Sequence, residues 1–464
     1  MQAAIEDFYA AYTKPECASL VAKFLSPEPP SHDALRLYDF VRATNEVRVT
    51  GDVQYAVESR MRKLMAPDEM RGWIDIISCY WRAVDRIVKA EEAQNQGKLS
   101  ERQALDVYDA WKDLTSSFMK HISNGALPFW AIFTLCLTAN HLRTFAINAD
   151  VQLAKVRPAG VSASFQDDIV SPAPRSEKLE EAARMFNRIF ALCLGDRNPD
   201  TSQSRKWGVY CVANLLFKTY FKLKTISLSK NLVKSIDAQS DLPYFDLYPI
   251  THRVTYLYYV GVISFLQEDY AKAEVCLTHA WNLCYVHSEK NKELIMTYLI
   301  PCRLITQSTV PTPQLLNQSP RLNRLFGNLV RSIRKGDLSG FDKALAAGEP
   351  EFVKRRIFLT LERSRDIALR NLFRKVFLAA GYEDLKEGQT EKDRIRKSRI
   401  PLAHFAAALR MSTAGAGSGQ VVDDDEVECL LANTIYKNHM KGYISREHAM
   451  VVLNKKGAFP GTGV

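Results

Sequence analysis

The fold is decided by Gly442-Tyr443-Ile444-Ser445 and Ala449-Met450-Val451-Val452-Leu453, where the spacing of apolar residues changes. From Asp366 to Met440 the apolar residues recur at helical spacing, whereas these two short runs are typical of strands joined by a turn. Three helices followed by a small β-hairpin form a winged helix. That fold is used both to grip nucleic acid and to dock one protein on another.

The residues before the hairpin give the three helices their expected positions. The first helix is predicted from about Asp366 to Ala380, and Gly381 ends it. Ile400 is predicted to add a short strand to the hairpin, and Pro401 opens the second helix. The third helix begins in the acidic run at 423–426, which suits the positive end of a helix dipole. Its buried stripe is predicted to contain Val427, Leu430, Leu431, Thr434 and Ile435.

A low-complexity stretch separates the second and third helices. It reads Ser412-Thr413-Ala414-Gly415-Ala416-Gly417-Ser418-Gly419-Gln420 and is predicted to be a mobile insertion. The glycines do not form a phosphate-binding loop, because no strand precedes them and no Lys-Ser or Lys-Thr pair closes the run.

The positive charge of the chain is concentrated in one region. The whole chain has a net charge of +10, and residues 321–399 hold 20 Lys or Arg against 11 Asp or Glu. A concentrated basic surface predicts a polyanionic partner, either nucleic acid or a very acidic protein. A solvated helix face with unused charge is the alternative.

The third helix argues against reading of DNA bases. A helix-turn-helix reader presents the amino-terminal part of its recognition helix to base edges, and here that part is Asp423-Asp424-Asp425-Glu426, which phosphates repel. The alternative mode of nucleic-acid binding is contact with the phosphate backbone, which depends strongly on salt and shows little sequence preference. The candidate nucleic-acid-binding residues are Lys392, Arg394, Arg396, Lys397, Arg399, Lys437, Lys441, Arg446, Lys455 and Lys456.

The rest of the chain is predicted to be mostly helical, in three regions. Residues 1–160 form an N-terminal helical region, and the Pro- and Ser-rich stretch 156–176 is predicted to be an exposed linker. Residues 177–350 are predicted to form TPR-like helical repeats, and residues 351–464 form the winged-helix part. Short helices are predicted at 341–346 and 352–361, with Pro350 as an early helix residue.

One helical pair between Val254 and Tyr285 supports the repeat prediction. Gly261 allows a neighbouring helix to approach closely, and Ala273, Leu277 and Ala280 follow on one stripe of the second helix. This spacing of small residues resembles a tetratricopeptide-type repeat. An ordinary helical hairpin is the alternative.

Several function classes find no support in the sequence. The nine cysteines contain no CxxC pair and mostly lie in apolar helical runs, as expected of reduced buried thiols. HExxH, P-loop and GxSxG motifs are absent, and the histidines stand singly. We therefore expect no catalytic residues, no metal, no cofactor and no enzyme activity. The apolar run at 127–139 is too short to span a bilayer, so no membrane role is expected.

Helical repeats that run into a winged helix resemble the PCI domain, the module named for the proteasome lid, the COP9 signalosome and translation initiation factor three. The resemblance is closest to the branch that contains the signalosome subunit twelve-like proteins and the PCI subunit of the nuclear transcription-export complex. Four segments of the central helices carry it: 258–261, 270–274, 290–292 and 298–301. In the winged helix it is carried by Arg399-Ile400-Pro401-Leu402, by 425–433, and by Lys441-Gly442-Tyr443-Ile444.

The resemblance implies a non-catalytic scaffold subunit in the nucleus, with the cytoplasm as a second location. Such proteins pair with a larger PCI-domain protein and a small acidic protein of the Sem/DSS type, and they bind RNA or DNA. The implied process couples transcription elongation to mRNA processing and export. A purely protein-binding scaffold of a signalosome- or proteasome-lid-like assembly is the alternative. The candidate partner-binding residues are Phe352, Arg355, Arg356 and Tyr443.

Overall fold

The structure, a computed structural model, describes residues 1–31, 33–97, 100–156, 176–383, 395–413 and 422–463. The chain divides into two compact units, residues 1–256 and 257–464. The three regions predicted from the sequence divide the chain at other places, near 160–177 and at 350. The predicted linker at 156–176 and the predicted insertion at 412–420 lie largely outside the described residues.

The first unit is helical. Short 3-10 helices at Thr201–Gln203, Arg205–Gly208 and Phe245–Leu247 connect some of its α-helices. The α-helices are α1 (Gln2–Tyr12), α2 (Cys17–Phe24), α3 (Arg36–Arg42), α4 (Val49–Met61), α5 (Pro67–Asn95), α6 (Glu101–Ser123), α7 (Ala131–Val156), α8 (Glu177–Leu194), α9 (Val209–Lys222), α10 (Ile226–Asp237) and the first part of α11 (Ile250–Leu266).

Long amphipathic helices form the core of this unit. Helix α5 begins with Pro67 at its first position and two acids in its first turn, both of which favour a helix start. Its fully buried Trp73 meets the rings of Phe8 on α1 and Phe118 on α6. Helix α6 starts with a capping box between Ser100 and Gln103.

The second unit opens with helices that pack as antiparallel pairs. Between α11 and α12 the predicted close approach is confirmed, since a Cβ on Gly261 would lie 2.7 Å from Cγ of Leu277. Ala273, Leu277 and Ala280 are fully buried, as the predicted stripe requires. The helices that follow α11 are α12 (Tyr270–Leu283), α13 (Glu289–Gln307), α14 (Pro313–Asn317), α15 (Pro320–Lys335), α16 (Leu338–Lys354) and α17 (Phe358–Arg363).

The helix boundary predicted at Pro350 is wrong. Helix α16 runs without interruption from Leu338 to Lys354 and contains Pro350 in its interior. Phe341, Leu345 and Phe352 lie at helical spacing on its inner side and are all buried. Burial of this apolar row outweighs the hydrogen bond that the proline removes.

The winged helix has the predicted order of elements. Its sheet has the strand order β1-β3-β2, and both pairings are antiparallel. Ile400 lies in β1, and α20 begins in the acidic run, where Asp423 accepts a hydrogen bond from the backbone N–H of Glu426 at 2.7 Å. The elements are α18 (Arg365–Ala379), β1 (Arg399–Pro401), α19 (Leu402–Thr413), α20 (Asp424–Tyr436), β2 (Gly442–Ser445) and β3 (Met450–Leu453).

The register of the sheet separates an inner face from an outer face. Ile400 pairs with Val451, and both are fully buried against the helices. In the next register position Arg399 pairs with Val452, which pairs in turn with Tyr443, so these three side chains share the outer face. The described residues contain no helix that is both long and apolar enough to cross a membrane.

The residues after β3 complete the core of the winged helix. Ala458 and Phe459 are each only 1% exposed. The ring of Phe459 lies 5.8 Å from the ring of Phe377 on α18, and the backbone N–H of Lys441 donates to the carbonyl of Ala458 at 2.8 Å. This segment therefore ties helix α18 to the start of β2.

Candidate nucleic-acid and partner interface

One end of the three-stranded sheet collects basic residues from three distant parts of the sequence. The backbone N–H of Leu453 donates to the carbonyl of Ser398 at 2.7 Å, and that of Asn454 donates to the carbonyl of Lys441 at 3.0 Å. Because neighbouring strands lie about 4.8 Å apart, the three chain segments at this end fit within about 10 Å. The residues they bring together, called here the basic sheet end, are Lys397, Arg399, Lys441, Lys455 and Lys456.

The side chains of the basic sheet end are available to a ligand. All five residues are exposed. In the part of the chain that the structure describes, no carboxylate oxygen lies within 4.0 Å of a charged nitrogen of any of them, so none forms an ion pair. Exposed cations without internal partners suit phosphate groups, because binding releases counterions at little cost in broken contacts.

Two other predicted residues are held by acids of the same unit. Nζ of Lys437 lies 2.6 Å from Oδ2 of Asp366 on α18. Arg446, at the opposite end of the sheet, lies 3.0 Å from Glu428 and 3.5 Å from Asp425 on α20. These two cations therefore do not belong to the basic sheet end, although both remain partly exposed to solvent.

The acidic start of helix α20 is engaged by arginines from two sides. Arg410 of α19 donates to Asp424 at 2.9 Å, and Arg446 reaches Asp425 and Glu428 from the hairpin. A base-reading protein inserts this part of the helix into the major groove. Here it is acidic, and its carboxylates already form ion pairs with arginines of the same chain. This arrangement strengthens the argument against base-specific readout.

The loop before β1 contributes one described arginine. The Arg396 guanidinium carbon lies 4.6 Å from the ring centroid of Tyr382 and 6.0 Å from that of Phe377. Arg396 also forms an isolated β-bridge with Tyr382. Its guanidinium is therefore held against aromatic rings beside the basic sheet end. Lys392 and Arg394, which were predicted to act with it, lie outside the described residues.

The predicted partner-binding residues are placed very differently from one another. Phe352 is 1% exposed and its ring stacks on Phe326 at 6.3 Å, so the prediction that its side chain meets a partner is wrong. Arg355 is mostly covered and bonds to Glu351, one turn earlier. Arg356 is exposed, and Tyr443 is 62% exposed on the outer face of the sheet.

The sequence prediction missed a row of basic side chains on helix α15. Arg321, Arg324, Arg331 and Lys335 are exposed, while the opposite side of the helix is buried through Leu322, Phe326, Leu329 and Ile333. The signal was present as apolar spacing of i, i+4, i+7 and i+11, which predicts one buried face and one exposed face. The basic excess of residues 321–399 is therefore divided between α15 and the winged helix.

The described residues do not form a metal centre. Among the described residues, no group of three or more His, Cys, Asp or Glu side chains is arranged to hold a metal ion. His121 instead contacts Asp75, with 2.9 Å between Nε2 and Oδ2. The acidic cluster at the start of α20 is likewise explained by helix capping and by its arginine partners.

We expect His439 to make the winged helix less stable in acid. Burial lowers the pKa of His439, the positive charges of Arg370 and Lys437 lower it further, and the negative charge of Asp366 opposes them. In the unfolded chain a histidine has a pKa of about 6.5, so below that pH the unfolded state binds more protons and the free energy of unfolding falls. Denaturant titrations from about pH 7.5 to 5 should show a smaller loss for His439→Gln than for the unmodified chain. The exposed His404→Gln is the control, and equal losses in both variants would contradict the expectation.

Comparison with known proteins identifies the fold in the same region. The model of the PCI domain matches residues 349–455, which covers the winged helix and the end of α16. The chain is 46% identical over 451 residues to the Protein CSN12 homolog of Gibberella zeae, with 96% of each chain covered. It is 50% identical over 401 residues to the Protein CSN12 homolog of Neurospora crassa, with 86% of each covered.

A second named group of proteins is also similar. The chain is 32% identical over 362 residues to the PCI domain-containing protein 2 of Danio rerio, covering 78% of this chain and 81% of that protein. The similarity to both groups extends far beyond the winged helix, into the helical regions. The PCI resemblance predicted from the sequence is confirmed, and the chain belongs to the family of PCI-domain proteins that contains the CSN12 homologues.

Proposed function

We propose that this chain is a non-catalytic scaffold subunit that binds RNA or DNA through phosphate contacts, without strong sequence preference. The observation that carries the proposal is the basic sheet end, where five exposed cations from three chain segments converge without internal acidic partners among the described residues. The acidic start of α20 supports the absence of base readout. In the nucleus such a subunit couples transcription elongation to mRNA processing and export.

The proposal includes two protein partners. A larger PCI-domain protein contacts the outer face of the sheet, where Tyr443 and Val452 offer apolar surface next to Arg399. A small acidic protein of the Sem/DSS type is held by exposed basic residues such as Arg356. Interfaces between proteins need a buried apolar centre with a polar rim, and the outer sheet face has both components.

A salt titration tests the nucleic-acid proposal. The affinity of the purified chain for single-stranded RNA and for duplex DNA of unrelated sequences is measured from about 50 to 200 mM salt. We expect a steep linear loss of log affinity with log salt and less than about a threefold difference between sequences. A salt-independent affinity, or a strong preference for one sequence, would contradict phosphate binding.

A purely protein-binding scaffold is the second candidate function, and the exposed Tyr443 beside Val452 favours it. Affinity purification from nuclear extract, with identification of the bound proteins by mass spectrometry, separates the two. The first candidate predicts a larger PCI-domain protein together with mRNA-processing and export factors. Recovery of proteasome or signalosome subunits alone, with no measurable RNA affinity, favours the second.

A further inference from the structure

The exposed face of helix α15 is a straight row of cations. Arg321, Arg324, Arg331 and Lys335 follow one another at spacings of 3, 7 and 4 residues, which places them within an arc of about 80° around the helix. With a rise of 1.5 Å per residue the row is about 21 Å long. The fifth basic residue of the helix points elsewhere, since Arg334 donates to the carbonyl of Pro311 at 2.7 Å.

The row is charged but offers no apolar anchor. Every large apolar side chain of α15 is buried or partly buried, so none is exposed beside the row. The polar residues between the arginines are Asn323 and Asn328. A folded protein partner buries apolar residues at the centre of its interface, whereas the sequence-independent part of nucleic-acid binding consists of phosphate contacts. The composition of the row therefore favours a nucleic acid.

The row and the basic sheet end are connected through helix α18. Nζ of Lys375 on α18 donates to the backbone carbonyl of Lys335 at 2.7 Å. Two residues further along α18, the ring of Phe377 lies 6.0 Å from the guanidinium of Arg396. Arg396 directly precedes Lys397 of the basic sheet end. Helix α18 thus contacts the end of the row through Lys375 and the arginine beside the basic sheet end through Phe377, although these two positions lie on different sides of the helix.

Some described acids stand beside this path. The exposed Glu383 lies near Arg396, because its backbone N–H donates to the carbonyl of Ile395 at 2.9 Å. Asp337 lies next to the end of α15, but its carboxylate accepts the backbone N–H of Gly340 as the cap of helix α16. Glu351 lies near Arg321; the pKa of its carboxyl is lowered mainly by the hydrogen bond from Arg355, and Arg321 contributes to that shift. Neither Asp337 nor Glu351 forms an ion pair with the row.

We infer that the row on α15 continues the basic sheet end into one track, and that a single strand of RNA longer than the sheet end alone can hold occupies both parts. The inference rests on the proposed nucleic-acid binding of the winged helix. A strand that contacts both parts gains affinity because the second contact is intramolecular. A short strand occupies one part at a time and gains nothing from the other.

The test compares two lengths of oligouridine on charge-reversed variants of the full chain. The row variant carries Arg321→Glu, Arg324→Glu and Arg331→Glu, and the control carries Lys222→Glu, Lys230→Glu and Lys234→Glu on exposed lysines of the other unit. With a strand of about 24 nucleotides we expect the row variant to lose about tenfold or more in affinity, and its salt slope to fall by about 2. With about 8 nucleotides the loss should stay within about twofold.

A third variant, with the same three arginines changed to lysine, should retain most of the long-strand affinity if charge is what binds. Equal effects of the row variant on both lengths, or no effect on either, would overturn the inference. The proposed function is tested separately. It requires only that reversal of the charges at the basic sheet end lowers the affinity for both lengths of RNA. If the row variant instead loses binding to a polyglutamate peptide while RNA affinity is unchanged, the row serves an acidic protein and the inference is wrong.

Discussion

Reversal of four charges at the basic sheet end is expected to lower the affinity for single-stranded RNA by about a hundredfold or more near 0.1 M salt. The variant is Lys397→Glu, Arg399→Glu, Lys441→Glu and Lys455→Glu. All four side chains are exposed and have no described acidic partner, so their replacement removes phosphate contacts without breaking internal ones. Each contact to a single strand contributes about 0.7 to the salt slope, so the slope should fall by about 3.

The controls for this experiment distinguish the site from net charge. Arg446→Glu changes a residue of the same sheet at its opposite end, where it contacts Glu428, and should alter RNA affinity by less than about threefold. A quadruple variant of exposed lysines in the other unit, Lys63→Glu, Lys222→Glu, Lys230→Glu and Lys234→Glu, has the same change in net charge. If this variant weakens binding as much as the sheet-end variant, the basic sheet end is not the binding surface. Circular dichroism checks that each variant is folded.

Replacement of Gly336 by alanine is expected to reduce the free energy of unfolding of the second unit by about 2–4 kcal/mol. Gly336 ends helix α15 with φ of 63°, in the left-handed region that disfavours a side chain. A Cβ there would lie 2.7 Å from the backbone nitrogen and 2.8 Å from Cα of Leu372 on α18, and backbone atoms of a packed helix have little room to move. The cost of the positive φ and the cost of the collision with Leu372 therefore both lower the free energy of unfolding.

The matched control is Gly381→Ala. Gly381 also has a positive φ, of 78°, but a Cβ there would meet nothing within 4 Å, so only the conformational cost of about 1 kcal/mol applies. Thermal unfolding should show a Tm lower by roughly 4–16 °C for Gly336→Ala, at about 2–4 °C per kcal/mol for a unit of this size. Equal Tm values for the two variants would mean that the contact between α15 and α18 adjusts without cost.

The order of elements in the winged helix could be predicted because each signal is local. The change from helical to alternating apolar spacing occurs within the sequence itself, and the acids that cap α20 stand directly before its first buried residue, Val427. Pro350 shows where local signals fail. A proline predicts a helix start, but the buried row of Phe341, Leu345 and Phe352 holds α16 together across it.

The composition of the candidate site could be predicted only in part, because pairing between distant segments decides it. Lys397 and Lys455 become neighbours through the register of β1 on β3, and no local pattern specifies that register. The ion pairs of Lys437 with Asp366 and of Arg446 with Glu428 join residues from different elements, so no local sequence pattern indicates that either cation is paired. Arg370 on α18 is a similar case, because it is only 6% exposed and donates to the carbonyl of Ser308, which lies far away in the sequence.

The burial of Ala458 and Phe459 has a consequence for the order of events during synthesis. Phe459 covers Phe377 of α18, and Ala458 binds the backbone of Lys441 at the start of β2. Because domains fold as they leave the ribosome, the first unit can fold before these residues have been synthesised. The winged helix cannot complete its core until residue 459 has been added. A ribosome that stalls in the hairpin therefore exposes a finished helical unit joined to an incomplete interface, in which α18 presents an uncovered aromatic ring to chaperones.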